Sequence, residues 1–247
     1  SGLCIRFGVT SFKWSNLAAH EAGVTVAVVG CCVGAVGEKF IITGSERRTV
    51  QNINCYLASG KDVWIAAASK SVSGLPVMTK GNYYGLSEGL LLDASEAADL
   101  LSEGFPKTSL RKFAGSAEVI DGRFRECMWL PEEAVSGDIL SIPEVARRLQ
   151  LNVKARTASR DAAAVKMARK PHQFREMLHA KQHSIAVPVV SSERREFLPV
   201  DLLSSQYVFS NKCFALYDGP LWTLSVVASR LHWVWIGTVC VRLEMRF

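Results

Sequence analysis

Between Ser141 and Lys170 the chain carries Arg147, Arg148, Lys154, Arg156, Arg160, Lys166, Arg169 and Lys170 against only Glu144 and Asp161. This local surplus equals the formal net charge of +6 of all 247 residues. A helix with such an excess is a track for phosphates, because each phosphate it neutralises releases condensed counterions. The competing reading is a solvated helix face, although unbalanced like charges on one helix repel each other. A second polar group, Ser191, Ser192, Glu193, Arg194 and Arg195, offers hydroxyls, one carboxylate and two guanidiniums on a turn. It admits three roles: clamping phosphates, reading base edges, where Arg suits guanine and Glu suits cytosine, or bracing the loop through an Arg–Glu pair. Arg230 and His232 interrupt an apolar stretch beside Trp233 and Trp235, as a groove contact or as a satisfied buried pair. Lys80, Asn82, Tyr83 and Tyr84 sit in a Ser/Gly/Lys/Asn-rich region that reads as an extended loop.

Other chemistries find no support. His179 and His183 are four apart, but no His-Glu-x-x-His and no third ligand accompany them, so no metal site is expected. There is no Gly-x-Ser-x-Gly elbow. Ser109 to Lys112 fits Ser-x-x-Lys without its companion motifs. Gly30, Gly34 and Gly37 follow an apolar strand, but a short apolar strand comes next where a dinucleotide fingerprint needs a helix. No Asp/Glu-x-Lys triplet supplies a nuclease site, and no two prolines are adjacent, which excludes the Asn/Asp-Pro-Pro-aromatic turn that holds a target adenine. No catalytic residue is assigned.

The elements that must position these residues predict a mixed α+β fold with several short strands, a basic helix and a C-terminal apolar helix. Strands are expected at Leu3–Thr10, Val24–Val29, Phe40–Thr43, Leu90–Leu92, Arg123–Leu130, Ser184–Val190, Tyr207–Phe209, Phe214–Leu216 and Val239–Phe247. The continuous apolar run Val24–Val29 suits a strand buried on both faces. Ser15 or Asn16 is expected to cap a short helix through His20, and Ser95 to start one reaching about Ser102. Ser141-Ile142-Pro143-Glu144 predicts the clearest helix start, with Ser141 as N-cap, Pro143 in the first turn and Glu144 closing a capping box. That helix should run to about Ala168, with Asn152 a candidate interruption, and Pro171 ends it. Asp218 is expected to cap an apolar helix reaching about Gly237.

An apolar fraction of 49% with 21% charged residues describes a globular chain, and a pI near 9.0 points to a polyanionic partner. The seven cysteines have no metal-ligand spacing and suit buried free thiols in a reducing compartment. No basic-then-apolar leader is present, and the most apolar stretch, Gly219–Val241, is interrupted by Arg230 and His232, so neither secretion nor a membrane is expected.

Several stretches are more specific. Ser11-Phe12-Lys13-Trp14-Ser15-Asn16 leading through Ala22-Gly23-Val24, Asn52-Ile53-Asn54 with Tyr56-Leu57, Ser73-Gly74-Leu75-Pro76, the run Val187 to Pro199 containing Ser-Ser-Glu-Arg-Arg, and Ser229-Arg230-Leu231-His232 with Arg242-Leu243-Glu244 occur in one order. In that order they resemble the MmeI-like family of type IIL restriction–methylation enzymes and their solitary methyltransferase relatives. The resemblance spans nearly the whole chain and is weakest over Val145–Met177. It implies that residues 1–45 are the last strands of a class I methyltransferase sheet and that residues 46–247 are a DNA target recognition domain. It further implies sequence-specific binding of double-stranded DNA, with methyl transfer to adenine from S-adenosylmethionine by an upstream methyltransferase domain of the same polypeptide, in a bacterial cytoplasm. The fragment itself holds no cofactor. Phe12 or Trp14 would line a pocket for the flipped base, or else both pack in the sheet core. A run shared by enzymes with different targets suits phosphate contact better than base reading. Val241 stands where the family pattern has glycine, and the chain stops at Phe247 where a tyrosine-rich segment would follow, which implies an excised segment. The alternative function is a basic protein-interaction or non-specific DNA-binding scaffold of a defence system.

Overall fold

In a computed structural model the described residues are 2–14, 24–34, 37–68, 74–192 and 194–240. They form a mixed α+β fold whose contacts group into two units. One comprises residues 1–74, 191–196 and 230–247, and the other residues 75–190 and 197–229. The expected helix at Ser15–His20, Glu193 and most of the expected strand Val239–Phe247 lie outside the described residues.

The first unit contains a four-stranded sheet of β1 (Leu3–Lys13), β2 (Thr25–Val33), β3 (Lys39–Thr43) and β4 (Glu46–Val50), in the order β2-β1-β3-β4. β1 runs antiparallel to β2 and parallel to β3, and β3 and β4 form a hairpin. The two-residue loop Gly44-Ser45 closes that hairpin, with Gly44 at φ +60°, a conformation that favours a residue without Cβ. β2 was expected to be buried on both faces. It is instead an edge strand, paired only with β1, and Val28, Val29 and Val33 are exposed.

The second unit has two four-stranded sheets. One joins β5 (Thr79–Lys80), β9 (His183–Pro188), β10 (Asp201–Ser204) and β12 (Cys213–Tyr217), and β9 and β12 are its inner strands. The other joins β6 (Leu91–Leu92), β7 (Leu110–Ala114), β8 (Arg125–Met128) and β11 (Tyr207–Phe209), with β7 and β8 inside. Its helices are α1 (Ala94–Ser102), α2 (Ser116–Asp121), α3 (Gly137–Ser141), α4 (Pro143–Thr157), α5 (Ala162–Met167) and α6 (Trp222–Ala228), and α7 (Arg230–Val239) belongs to the first unit. The main core gathers Leu90, Leu92, Leu100, Phe113, Met128, Leu130, Val145 and Phe174, and within it the Phe113 and Phe174 rings stack 5.7 Å apart.

Three helix starts differ from expectation. Ser141 does not cap α4: it ends α3, and its Oγ donates to Asp138 O at 2.7 Å. Ile142 takes the N-cap position without a side-chain bond, Pro143 follows at the first helical position, and Glu144 turns to Arg147 and Arg148 instead of closing a box. The capping box lies at α1, where Asp93 Oδ1 accepts from Glu96 N at 2.8 Å and Glu96 Oε2 accepts from Asp93 N at 2.9 Å. The basic helix is two helices, because Asp161 starts α5 by accepting from Ala163 N. Asn152 does not interrupt α4; it is buried in it. The apolar C-terminal helix is also two, since Ser229 between them is extended. Asp218 caps neither. Its carboxylate accepts from the backbone N–H groups of Lys181, Gln182 and His183, which hold it below the usual aspartate range.

Candidate nucleic-acid interface

On α4 and α5 the eight cations divide by face. Lys154, Arg160, Lys166 and Arg169 are exposed and make no ion pair among the described residues. Arg147 and Lys170 are exposed but engaged: Arg147 grips Glu144 with Nε at 2.7 Å and Nη2 at 2.6 Å, and Lys170 Nζ lies 2.8 Å from Glu132 Oε2. The first four can exchange water for phosphate without losing a partner, whereas the other two must give one up.

Arg148, Asn152 and Arg156 point inward. They recur every four residues, so they stack along one side of α4, and all three are buried. Arg148 donates to Leu91 O at 2.9 Å and pairs with Glu144 and Glu96. Asn152 Oδ1 accepts from Gly89 N at 3.0 Å and its Nδ2 donates to Pro171 O at 2.9 Å. Arg156 donates to Leu86 O, Met167 O, Lys170 O, Gln173 O and Ser87 Oγ. The three therefore bind residues 86–91 and 167–173 to α4.

Asn82 is fully buried and acts in the same way. Its Nδ2 donates to Leu178 O and Phe209 O, and its Oδ1 accepts from Leu178 N at 2.6 Å. Lys80 is exposed on β5, with Nζ 5.9 Å from the centre of the Phe214 ring. Tyr83 is exposed nearby and lines a cleft with Leu86, Asp161, Met167 and Arg175. Arg175 escaped the sequence reading because it lies beyond Pro171, where the basic helix was expected to end. It lies 3.8 Å from Asp161 Oδ2 and 3.7 Å from Glu176 Oε1, and is the exposed cation that lines that cleft.

In the first unit the polar turn meets α7. Trp233 Nε1 donates to Arg195 O at 2.7 Å and Arg230 Nη1 donates to Glu196 O at 2.6 Å. Ser192 O and Oγ accept from the backbone N–H groups of Arg195 and Arg194. These bonds leave the Arg194 and Arg195 side chains exposed, beside exposed Arg230 and half-buried His232, while Ser191 is buried. The two arginines, Arg230 and Ser192 are thus brought together. Phe12 and Trp14 sit at the end of β1, both exposed, with ring centres 6.5 Å apart, so neither packs in a core among the described residues.

Among the described residues no three His, Cys, Asp or Glu side chains are grouped to hold a metal ion. His183 Nε2 lies 2.8 Å from Gly219 O. No described helix is long and apolar enough to cross a membrane.

A family model, the target recognition domain of MmeI, matches residues 59–247. DNA methyltransferase A of Bacillus subtilis (strain 168) is 33% identical over 246 residues, which is 98% of this chain and 28% of that protein. The solved structure of the type IIL restriction–modification enzyme MmeI in complex with DNA superposes with a TM-score of 0.84 at 26% identity, covering 100% of this chain and 34% of that one. The chain thus spans 28% and 34% of the lengths of these two relatives.

Proposed function

The chain belongs to the MmeI target recognition domain family, and from that premise we propose that it reads a specific short sequence in double-stranded DNA as part of an adenine-specific DNA methyltransferase or a fused restriction–methylation enzyme. The observation that supports this beyond the match itself is the sorting of charge by face. Lys154, Arg160, Lys166 and Arg169 remain solvated and unpaired, while Asn82, Arg148, Asn152 and Arg156 are spent inside on fixing backbone. Phosphate contacts position a protein on the duplex and base contacts specify, so a reader needs both mobile surface cations and rigid loops. In this reading the exposed cations grip phosphates. Lys80, Arg194, Arg195, Arg230 and His232 are further contact candidates, with Glu193 and Ser192 in the same turn. Asn82, Arg148 and Arg156 shape the surface from beneath.

Residues 1–45 supply the last strands of the methyltransferase sheet in this proposal, and residues 46–247 the recognition domain. S-adenosylmethionine would supply the methyl group. The chain has no Pro-Pro pair and hence no adenine-holding Asn/Asp-Pro-Pro-aromatic turn, so donor binding and transfer are assigned to the remainder of the longer polypeptide. Phe12 and Trp14, exposed on β1, are placed to offer an aromatic face to an extruded base. The setting proposed for the whole enzyme is a bacterial cytoplasm.

Selection from a randomised duplex pool, with affinity measured across salt concentrations, tests the reading. Enrichment of one short site together with a steep salt slope is the expected result. Salt-sensitive binding without an enriched site would replace it with a non-specific DNA-binding scaffold.

A further inference from the structure

Arg156 is 2% exposed and, among the described residues, its guanidinium has no carboxylate partner. Burying an uncompensated cation is costly, and a neutral or apolar residue would fill the same volume more cheaply. What the guanidinium supplies is geometry. It has five N–H donors in one rigid plane, and all five are used. Nε reaches Leu86 O at 3.1 Å. Nη1 reaches Met167 O at 2.9 Å and Lys170 O at 2.8 Å. Nη2 reaches Ser87 Oγ at 2.6 Å and Gln173 O at 2.7 Å. Four of the five acceptors are main-chain carbonyls, one on the turn at Leu86 and three between the last residue of α5, Met167, and Gln173 in the segment that follows it.

The backbone is strained in the first of these segments and again just beyond the second. Leu86 takes φ +63° and Met177 takes φ +51°, left-handed conformations that non-glycine residues rarely adopt. Such residues persist where surrounding bonds over-determine them. The Leu86 carbonyl is the one that Arg156 Nε holds, and Leu178, next to Met177, is held at both N–H and C=O by Asn82. The same two segments carry or flank the exposed side chains of Tyr83 and Arg175, which line the cleft, and of Lys166, Arg169 and Lys170.

We propose that Arg156 is a positioning residue for base discrimination: it touches no DNA, and it fixes the segments 83–87 and 167–175 as one rigid reading edge. The proposal rests on the DNA-reading function above. A rigid edge has its ordering cost met before binding, and it keeps a side chain within reach of the right base edge and out of reach of the wrong one. Lysine at this position would retain the charge but could offer at most three donors without the planar fork.

The test uses the whole chain, its selected duplex and a scrambled duplex, with wild type, Arg156→Lys and Arg156→Gln compared well below each protein's melting temperature. The expected result is that Arg156→Lys narrows the ratio of specific to scrambled affinity by about tenfold or more, with a salt slope that stays within about half a phosphate of wild type. An unchanged ratio with only a lower melting temperature would overturn the proposal and leave Arg156 a stabilising residue. A slope shallower by about one phosphate would also overturn it, because Arg156 would then contact DNA directly. Hydrogen exchange on the wild-type chain tests the same point if neither variant folds. The Ser87, Lys170 and Gln173 amides should be protected to within about tenfold of β7, and exchange at the rate of an open loop would refute a fixed edge. Failure of the wild-type chain to prefer any duplex would show in the first arm. It would remove the reading of function, and the positioning role with it.

Discussion

Gly89 is the residue at which the buried stripe of α4 leaves no room for a side chain. A Cβ there would press into Arg148 O and come within 2.8 Å of Asn152 Oδ1, and neither can retreat, since one is helix backbone and the other belongs to an amide that accepts from Gly89 N and donates through Nδ2 to Pro171 O. Gly89→Ala should therefore lower stability by about 1–3 kcal/mol, read as a fall in urea midpoint at constant slope. A neutral result would mean that the helix and the loop are not in contact as described. Glu144 makes a second residue-scale prediction. Hydrogen bonds from Arg147, and then Arg148, hold its carboxyl at about 2, against an ordinary value of 4.5. Its folded pKa is depressed, so its stabilising contribution is complete above 4.5 and is lost as pH falls towards about 2. Glu144→Gln should flatten the acid limb of the stability curve between those two values and leave the alkaline limb unchanged; an unchanged acid limb in pH-dependent urea titrations would contradict the pairing. These residues also show how much of the site the sequence disclosed. The surplus of cations between Ser141 and Lys170 was legible, because charge is counted without folding the chain. Their division was not. Arg148, Asn152 and Arg156 have the four-residue spacing of one helix face, but that spacing marks a core only when the residues are apolar, and charged residues are almost never fully buried without partners. Most of those partners, from Leu86 to Gln173, are backbone atoms that no sequence pattern advertises.

At the scale of elements, α4 and α5 present their exposed cations in succession. If these track a phosphate backbone, Lys154→Ala, Arg160→Ala, Lys166→Ala and Arg169→Ala should each make the plot of log affinity against log salt shallower by about 0.9. Arg147→Ala should do less, because its guanidinium is already bound at both Nε and Nη2 by Glu144. Equal small effects for all five would assign the charge to solvation only. The same helices show why boundaries were read less well than the elements themselves. Apolar runs located β9, β11 and β12 because each of these strands buries most of its residues, and the burial of β9 is close to complete. β4, Glu46–Val50, went unread because its charged residues carry no apolar alternation; its pairing is dictated by the Gly44 turn and by β3. The Ser141–Glu144 signature failed for a steric reason. Pro143 disfavours the helical region for the residue before it, so Ile142 stays extended at ψ 121° and becomes the boundary itself, which shifts the cap past Ser141. The single basic helix failed because Asp161, read only as a stray negative charge, caps α5.

At the scale of the whole molecule, the buried apolar residues are unevenly distributed. Both hydrophobic clusters, the one around Phe113 and Phe174 and the smaller one around Ala186 and Phe209, belong wholly to the unit formed by residues 75–190 and 197–229. Among the described residues of the other unit the buried apolar side chains are Ile41, Ile53 and Trp233, and β2 leaves Val28, Val29 and Val33 in water. Apolar burial is the main source of folding free energy, so the two units should differ in stability, and local unfolding should begin where burial is least. Hydrogen exchange read by mass spectrometry should show β1–β4 exchanging through an opening that leaves β7, β8, β9 and β12 protected, and urea should resolve that opening as an earlier transition. A shortened chain of residues 75–229 keeps both clusters and the whole α4 stripe. It should unfold cooperatively, at a midpoint close to that of the later transition of the full chain. A single coincident transition in the full chain, or a shortened chain that lacks cooperative unfolding, would mean that the four-stranded sheet stabilises the recognition core instead of merely preceding it in sequence.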